Sequence, residues 1–394
     1  MSFVKRNTVL SSRPGRAVPQ ANPQTAEKLQ PPPGVRPSPL DGRPITSTGT
    51  ASLDQLLAGY GGLPLGTCLL LEEQGTTEFS GVVLRYYAAE GLVQGHQVHL
   101  VGYPPDWRRQ LPGLAQPDRK SKSSQPAPAP PEEKMKIAWR YEALGNSATP
   151  GNAAAKGDSN QPPFCHSFDL SKRLEPAACK GALHPTPTTG PPTFDPRGQT
   201  TGSPFKAIIQ HLQTKLESSP PTEIHRVVIP NLLLPTLYAP QCSEPSQVLR
   251  FLHSLRALLR KYHNQLTAII TLQTSLYPRN TGLVRWMEIL CDGVLELIPF
   301  PATPGAAPPP SSSSTEKAEQ PQGLLKVHTL PVYHEKGGGA ADTSMLRETL
   351  SFSLSMTKGL NIKPYSLPPM IGDEEETKKE KKAPGGKPKD GIDF

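Results

Sequence analysis

Short runs of apolar, β-forming residues alternate along this chain with apolar stripes at helical spacing, and that alternation leaves few folds open. Cys68-Leu69-Leu70-Leu71, Gln97 to Val101, Val227-Val228-Ile229, Leu266 to Leu272 and Val294 to Ile298 read as buried strands. Between them, Phe79, Val82, Val83 and Tyr86 fall on one helical face. Phe205, Ile208, Ile209, Leu212 and Leu216 mark a second helix, and Val284, Met287 and Ile289 a further one. The strongest stripe is Val248, Phe251, Leu252, Leu255, Leu258, Leu259 and Tyr262. Two alternating stretches, Leu324 to His328 and Thr349 to Leu354, follow without a helix between them. Strand–helix alternation followed by consecutive strands predicts an α/β fold: a central, mainly parallel sheet flanked by helices, with an antiparallel edge.

Between these elements lie stretches with few core-forming side chains. Proline makes up 48 of 394 residues and apolar types only 35%, too little for every segment to offset its ordering entropy. Disorder is expected for a basic arm over 1–44, for insertions at about 115–134, 143–163, 176–203 and 301–322, and for a charged tail over 368–394. One domain over 45–367 remains, interrupted by those insertions, since surface loops tolerate length at little entropic cost.

Charge and cysteine usage exclude several classes. Residues 1–50 hold seven Lys or Arg against two acidic side chains, +5 of the net +8. A basic, Pro-rich arm suits contact with a polyanion or serves as a solvated tail. The five cysteines are scattered and form no CxxC pair, so neither a disulfide framework nor a zinc site is indicated. His96 and His99 are three apart on a strand, which aims them at opposite faces, and no metal is assigned. No stretch reaches the roughly 20 apolar residues of a membrane span. Met1 to Asn7 lacks the apolar core of a secretory signal, so a reduced compartment is expected, cytoplasm or nucleus.

The most informative segment runs from Ser47-Thr48-Gly49 through Leu53-Asp54-Gln55-Leu56-Leu57 to Leu63-Pro64-Leu65-Gly66. STG-x-x-x-LD-x-LL, a Gly-rich turn, L-P-x-G and a strand resemble the entry of RecA-type ATPase domains. There the strand leads into a phosphate loop, which needs consecutive backbone N–H groups, a lysine and a hydroxyl for Mg²⁺. Here the strand is CLLLEE and the loop Gln74 to Gly81 has Gly75 and the hydroxyls of Thr76, Thr77 and Ser80, but no lysine. Glu72, Glu73 and Glu78 stand where phosphates would sit, and like charges a few ångströms apart cost on the order of several kcal/mol in a partly dry site. The strand expected to end in a Mg²⁺-holding acid, Arg226 to Ile229, ends instead in Pro230-Asn231.

With EQGTTEFSG in place of the phosphate loop, and with SFVKRN, KMKIAWRYE (Lys134–Glu142), FCHSFDLSKRL and RVVIPNLLLP in order, the chain resembles the Elongator subunit 4 family. The resemblance implies a RecA-like fold, no catalytic residues and no cofactor of its own. It implies a hetero-hexameric ring with Elongator subunits 5 and 6, docked on subunits 1, 2 and 3. That ring binds tRNA and supports carboxymethyl-type modification of the wobble uridine, U34. Gly75, Thr76, Thr77 and Ser80 are the candidate remnant of a nucleotide site. Tyr277, Arg279 and Asn280, on the loop after a central strand, are candidate tRNA contacts: an arginine pairs a phosphate and a tyrosine stacks a base. The alternative is an ATPase with an unconventional site, ATP lying at ring interfaces and driving tRNA release. Among the remaining polar residues, Lys136, Trp139, Arg140 and Tyr141 suit docking or sheet extension, and Asp169 or Ser171 suits the cap of a short helix ahead of Lys172 and Arg173. Arg85, Arg256, Arg260 and Lys261 read as interface or solvated side chains.

Overall fold

The computed structural model describes residues 31–57, 61–115, 163–188, 203–301, 320–331, 349–357 and 359–365. The chain enters through β1 (Val35–Pro37), β2 (Pro44–Thr46), α1 (Ala51–Leu56) and β3 (Leu63–Pro64). β4 (Cys68–Glu73), α2 (Phe79–Gln94) and β5 (Gln97–Val101) follow, then a ribbon of β6 (Pro112–Leu114) with β7 (Phe168–Arg173), and β8 (Ala182–Thr186). Next come α3 (Lys206–Ser218), β9 (His225–Ile229), α4 (Pro245–Lys261), β10 (Leu266–Gln273), α5 (Gly282–Leu290) and β11 (Gly293–Pro299). The antiparallel strands β12 (Gly323–Thr329), β13 (Leu350–Ser355) and β14 (Gly359–Pro364) close the fold.

Nine strands form one sheet in the order β14-β13-β12-β11-β4-β10-β9-β5-β8. The pairs from β11 to β8 are all parallel, and β12, β13 and β14 add an antiparallel edge. This is the expected α/β arrangement, with the strand that enters the phosphate-loop position at the sheet's centre. The central strands are buried almost throughout because both faces are covered. Leu69 and Leu71 of β4 join a core with α1 and α2, whereas Cys68 and Leu70 join one with α3, α4 and α5. The same alternation continues into Glu72 and Glu73, which therefore leave β4 toward opposite layers.

The entry motif is a buried polar knot. Asp54 accepts from Ser47 Oγ (2.5 Å), Thr48 N (2.8 Å) and Thr48 Oγ1 (2.7 Å). Gly49 has φ +79°, and a Cβ there would lie 2.4 Å from the Tyr86 carbonyl oxygen, so no other residue fits. Beneath it, the fully buried Arg226 donates to Ser47 O, Tyr87 O, Thr46 Oγ1 and His96 Nδ1 at 2.7–3.0 Å.

Several expectations are corrected. Residues 35–37, placed in the arm, pair antiparallel with β2. Residues 182–186, placed in an insertion, form β8 beside β5, because the edge of a parallel sheet accepts even a strand as polar as ALHPT. Phe168–Arg173 is a strand, so Asp169 caps no helix; it accepts instead from its neighbour Ser171 (2.9 Å from N, 2.5 Å from Oγ). Ile289 does not belong to the buried stripe of α5: Val284, Met287 and Leu290 do. Lys136, Trp139, Arg140 and Tyr141, most of the arm, most of the remaining insertion residues and the tail lie outside the described residues.

Candidate functional site

The loop after β4 closes around a carboxylate. Glu73 is fully buried and points to the layer of α2. Its Oε1 accepts from Thr77 Oγ1 (2.7 Å) and Phe79 N (2.9 Å), and its Oε2 from Ser80 N (2.9 Å) and Ser80 Oγ. The first N–H groups of a helix carry partial positive charge and have no partner within the helix. In a phosphate loop they would face a phosphate; here the chain's own carboxylate takes them. Thr77 and Ser80 are thus brought together, around Glu73. Gly75 lies on the other side, donating its N–H to Ser275 Oγ (2.9 Å), and Thr76 stands exposed.

Glu72 points the other way, toward α5. Arg279 Nε lies 2.8 Å from Glu72 Oε2 and 2.9 Å from Glu288 Oε1. One N–H serves one acceptor and it donates to Glu288, leaving Glu72 fully buried with charge attraction but no hydrogen-bond donor. Burial first, and then the Glu288 and Glu296 charges, push Glu72 up to about 8, against the pull of Arg279. Glu296, its neighbour across the sheet, accepts from Gln74 Nε2 (2.5 Å), meets His328 Nε2 at 2.8 Å and lies 3.4 Å from Arg279 Nη1. His328, then Gln74 and Arg279, hold its carboxyl below the ordinary range despite burial.

The candidate tRNA contacts take other partners. The Arg279 guanidinium, about one-quarter exposed, faces three carboxylates, a setting that repels a phosphate. Tyr277 donates its hydroxyl to Leu233 O (3.1 Å) and packs on the core. Asn280 is exposed. Arg85 pairs with Glu78 at 3.6 Å, and Lys261 with Glu217 at 3.7 Å. A cleft of about 360 Å³ opens beside Arg279, lined also by Gln74, Gly75, Thr274, Ser275 and Glu296. Beyond Ile229, Asn231 gives its N–H to Thr271 Oγ1 (2.7 Å), and Pro230 and Asn231 bring no carboxylate to the end of β9.

Glu288, Glu296 and His328 are invisible to sequence reasoning because sheet register and α5 assemble them from distant segments. Glu72 and Glu73 carried a signal: adjacent acids on a strand face opposite layers. Arg226, a charge inside an apolar strand, carried another. A cluster of His99, His184, His211 and His225 also emerges only in three dimensions. Among the described residues no group of His, Cys, Asp or Glu has metal-holding geometry, and no helix is long and apolar enough to cross a membrane.

The family described as PAXNEB protein matches residues 28–394. Elongator complex protein 4 of Schizosaccharomyces pombe is 31% identical over 395 residues, covering 96% of this chain and 99% of that protein. The human protein of the same name is 31% identical over 295 residues, 68% of this chain and 66% of that one. The Saccharomyces cerevisiae protein is 27% identical, covering 77% and 70%. The solved KaiC-like protein PH0186 of Pyrococcus horikoshii aligns with TM-score 0.41 at 13% identity, over 81% of this chain and 99% of that one. A family match across nearly the whole chain, together with a relative aligned end to end, makes this chain a member of the PAXNEB family, the family of Elongator complex protein 4.

Proposed function

We propose that this chain is a non-catalytic, RecA-like subunit of the Elongator complex. In this reading it forms a hetero-hexameric ring with subunits 5 and 6, docks with them on subunits 1, 2 and 3, and helps hold tRNA while U34 is modified in cytoplasm or nucleus. One observation carries the non-catalytic part: the donors that would grip a triphosphate are occupied by Glu73. The absence of a loop lysine and of an acid after β9 supports it.

Assembly is supported by the outer face of α5 and the loop before it. Trp286 (54% exposed) and Ile289 (60%) lie one turn apart on α5, and Leu276 (51%) is exposed in the loop before it, so large apolar side chains are left uncovered on this part of the surface. Within the tRNA proposal, Arg279 anchors its loop and Asn280 is the residue free to reach RNA.

Purification of the native protein should bring down both other RecA-like subunits, and a Trp286→Glu chain should lose them while keeping its own melting temperature. Deletion of the chain should strip carboxymethyl-type groups from wobble uridines. A purified complex without a second RecA-like chain would rule the reading out. The alternative, an ATP site between subunits, has the open cleft beside Gly75 in its favour. Hydrolysis by the purified ring that falls on Thr76→Ala substitution would favour it.

A further inference from the structure

α4 and α5 pack side by side against one layer of the core. α4 leads into β10 and α5 into β11, strands that both run parallel to β4, so the two helices point the same way. α5 turns Val284, Met287 and Leu290 inward. Trp286 and Ile289 remain outside, 54% and 60% exposed, and residues three apart on a helix are surface neighbours.

α4 brings charge of one sign beside that pair. Pro245–Lys261 holds Arg250, Arg256, Arg260 and Lys261 but no Asp or Glu. The fold answers two of these cations. Arg260 Nη2 lies 2.6 Å from Asp292 Oδ1, just past α5, and Lys261 Nζ lies 3.7 Å from Glu217 Oε1 on α3. Arg260 therefore marks the flank of α4 toward α5, and Lys261 the flank toward α3. Arg256 stands one turn before Arg260 and shares its flank. Arg250 is exposed and Arg256 half-buried, both off the buried stripe of the helix. Among the described residues neither guanidinium has an ion-pair partner.

An apolar pair bordered by uncancelled guanidinium groups restricts what can cover it. A second copy docking by this face would set the same cations against their like, which repels. A nucleic-acid strand is held by many phosphate contacts, and Ile289 gives a base no ring to stack on. A protein surface suits both features, since Trp and Arg are the side chains that most often carry interface energy.

We propose that the outer face of α4 and α5 docks another protein chain whose covering surface is apolar over Trp286 and Ile289 and bears Asp or Glu opposite Arg250 and Arg256. The inference rests on the assembly reading above and adds to it the chemistry of the surface that covers α5.

Purified Elongator subunits 5 and 6, titrated with the full chain, test it. Arg250→Glu with Arg256→Glu should raise the Kd about tenfold or more, by setting like charges opposite each other. The melting temperature of the free chain should stay unchanged; Arg250→Glu alone, at the exposed position, repeats the test if it falls. In the complex of the Arg256→Lys chain, a carbodiimide should join the amine at position 256 to an Asp or Glu of subunit 5 or 6, read by mass spectrometry. Equal affinity of the wild type and the folded charge-reversed chain would overturn this inference and leave the assembly reading standing. A cross-link only to a second copy of this chain, or binding abolished by nuclease, would overturn it too, with a copy or RNA as the occupant. Subunits that do not bind the wild-type chain would overturn both.

Discussion

Glu72 and Glu73 are chemically identical neighbours with opposite circumstances, and the difference is set by which way each leaves the strand. Glu73 finds four donors at the start of α2. Glu72 finds a guanidinium already shared with two other acids. A carboxyl raised from its ordinary 4.5 to about 8 keeps its proton in the fold where the unfolded chain has lost it. The folded state then binds more protons between about pH 4.5 and about pH 8, so this group lowers stability as pH rises through that window. Glu72→Gln should match the wild type near pH 4.5 and exceed it increasingly toward pH 8, by on the order of 2 kcal/mol after screening. Thermal melts across that range check it; parallel curves would show that Glu72 is ionised in the fold.

At the scale of elements, the β5–β8–β9 edge and α3 meet through imidazoles. The His99 ring is stacked on those of His184 and His225, each with centroids 5.3 Å away, and His211 approaches it edge-on at 5.9 Å. His99 Nε2 and His225 Nδ1 are 3.0 Å apart, and one nitrogen each of His99, His211 and His225 is buried without a partner. Burial comes first in depressing all four, and the positive charges of their neighbours and of Lys215 add to it; Glu223 acts in the opposite sense on His184 and His225. His225 falls to about 4. A depressed histidine contributes its full stability above about pH 6.5 and loses it as the pH falls toward its folded value. The melting temperature should therefore fall between about pH 6.5 and pH 4, with faster hydrogen exchange in β8 and α3 first. His225→Gln should flatten that dependence, and an unchanged slope would refute the assignment.

The whole molecule hangs together through Arg226, which joins the entry segment, α2 and the start of β5 to the parallel sheet. Four acceptors on three separate pieces of chain share one guanidinium, which also lies over the Tyr87 ring at 4.7 Å. Removing it leaves those acceptors buried and unpaired, so Arg226→Met should destabilise by on the order of 3–5 kcal/mol. Arg226→Lys should recover little, because an ammonium cannot span a planar fork of acceptors. Chemical denaturation of the three proteins measures both effects, and full recovery by lysine would mean that charge alone matters there.

Patterns carried by neighbouring residues survive in any context, which is why the parallel strands, the amphipathic helices, the antiparallel edge and the missing phosphate-loop lysine were readable from the chain alone. Short polar strands such as β1 and β8 carry no such pattern. They exist because an adjacent strand offers unpaired N–H and C=O groups. The acids around Arg279 and the four histidines were decided by tertiary structure alone. Each is assembled from segments far apart in sequence, and whether a polar group is paired, stacked or left without a partner depends on what the fold sets within a few ångströms of it.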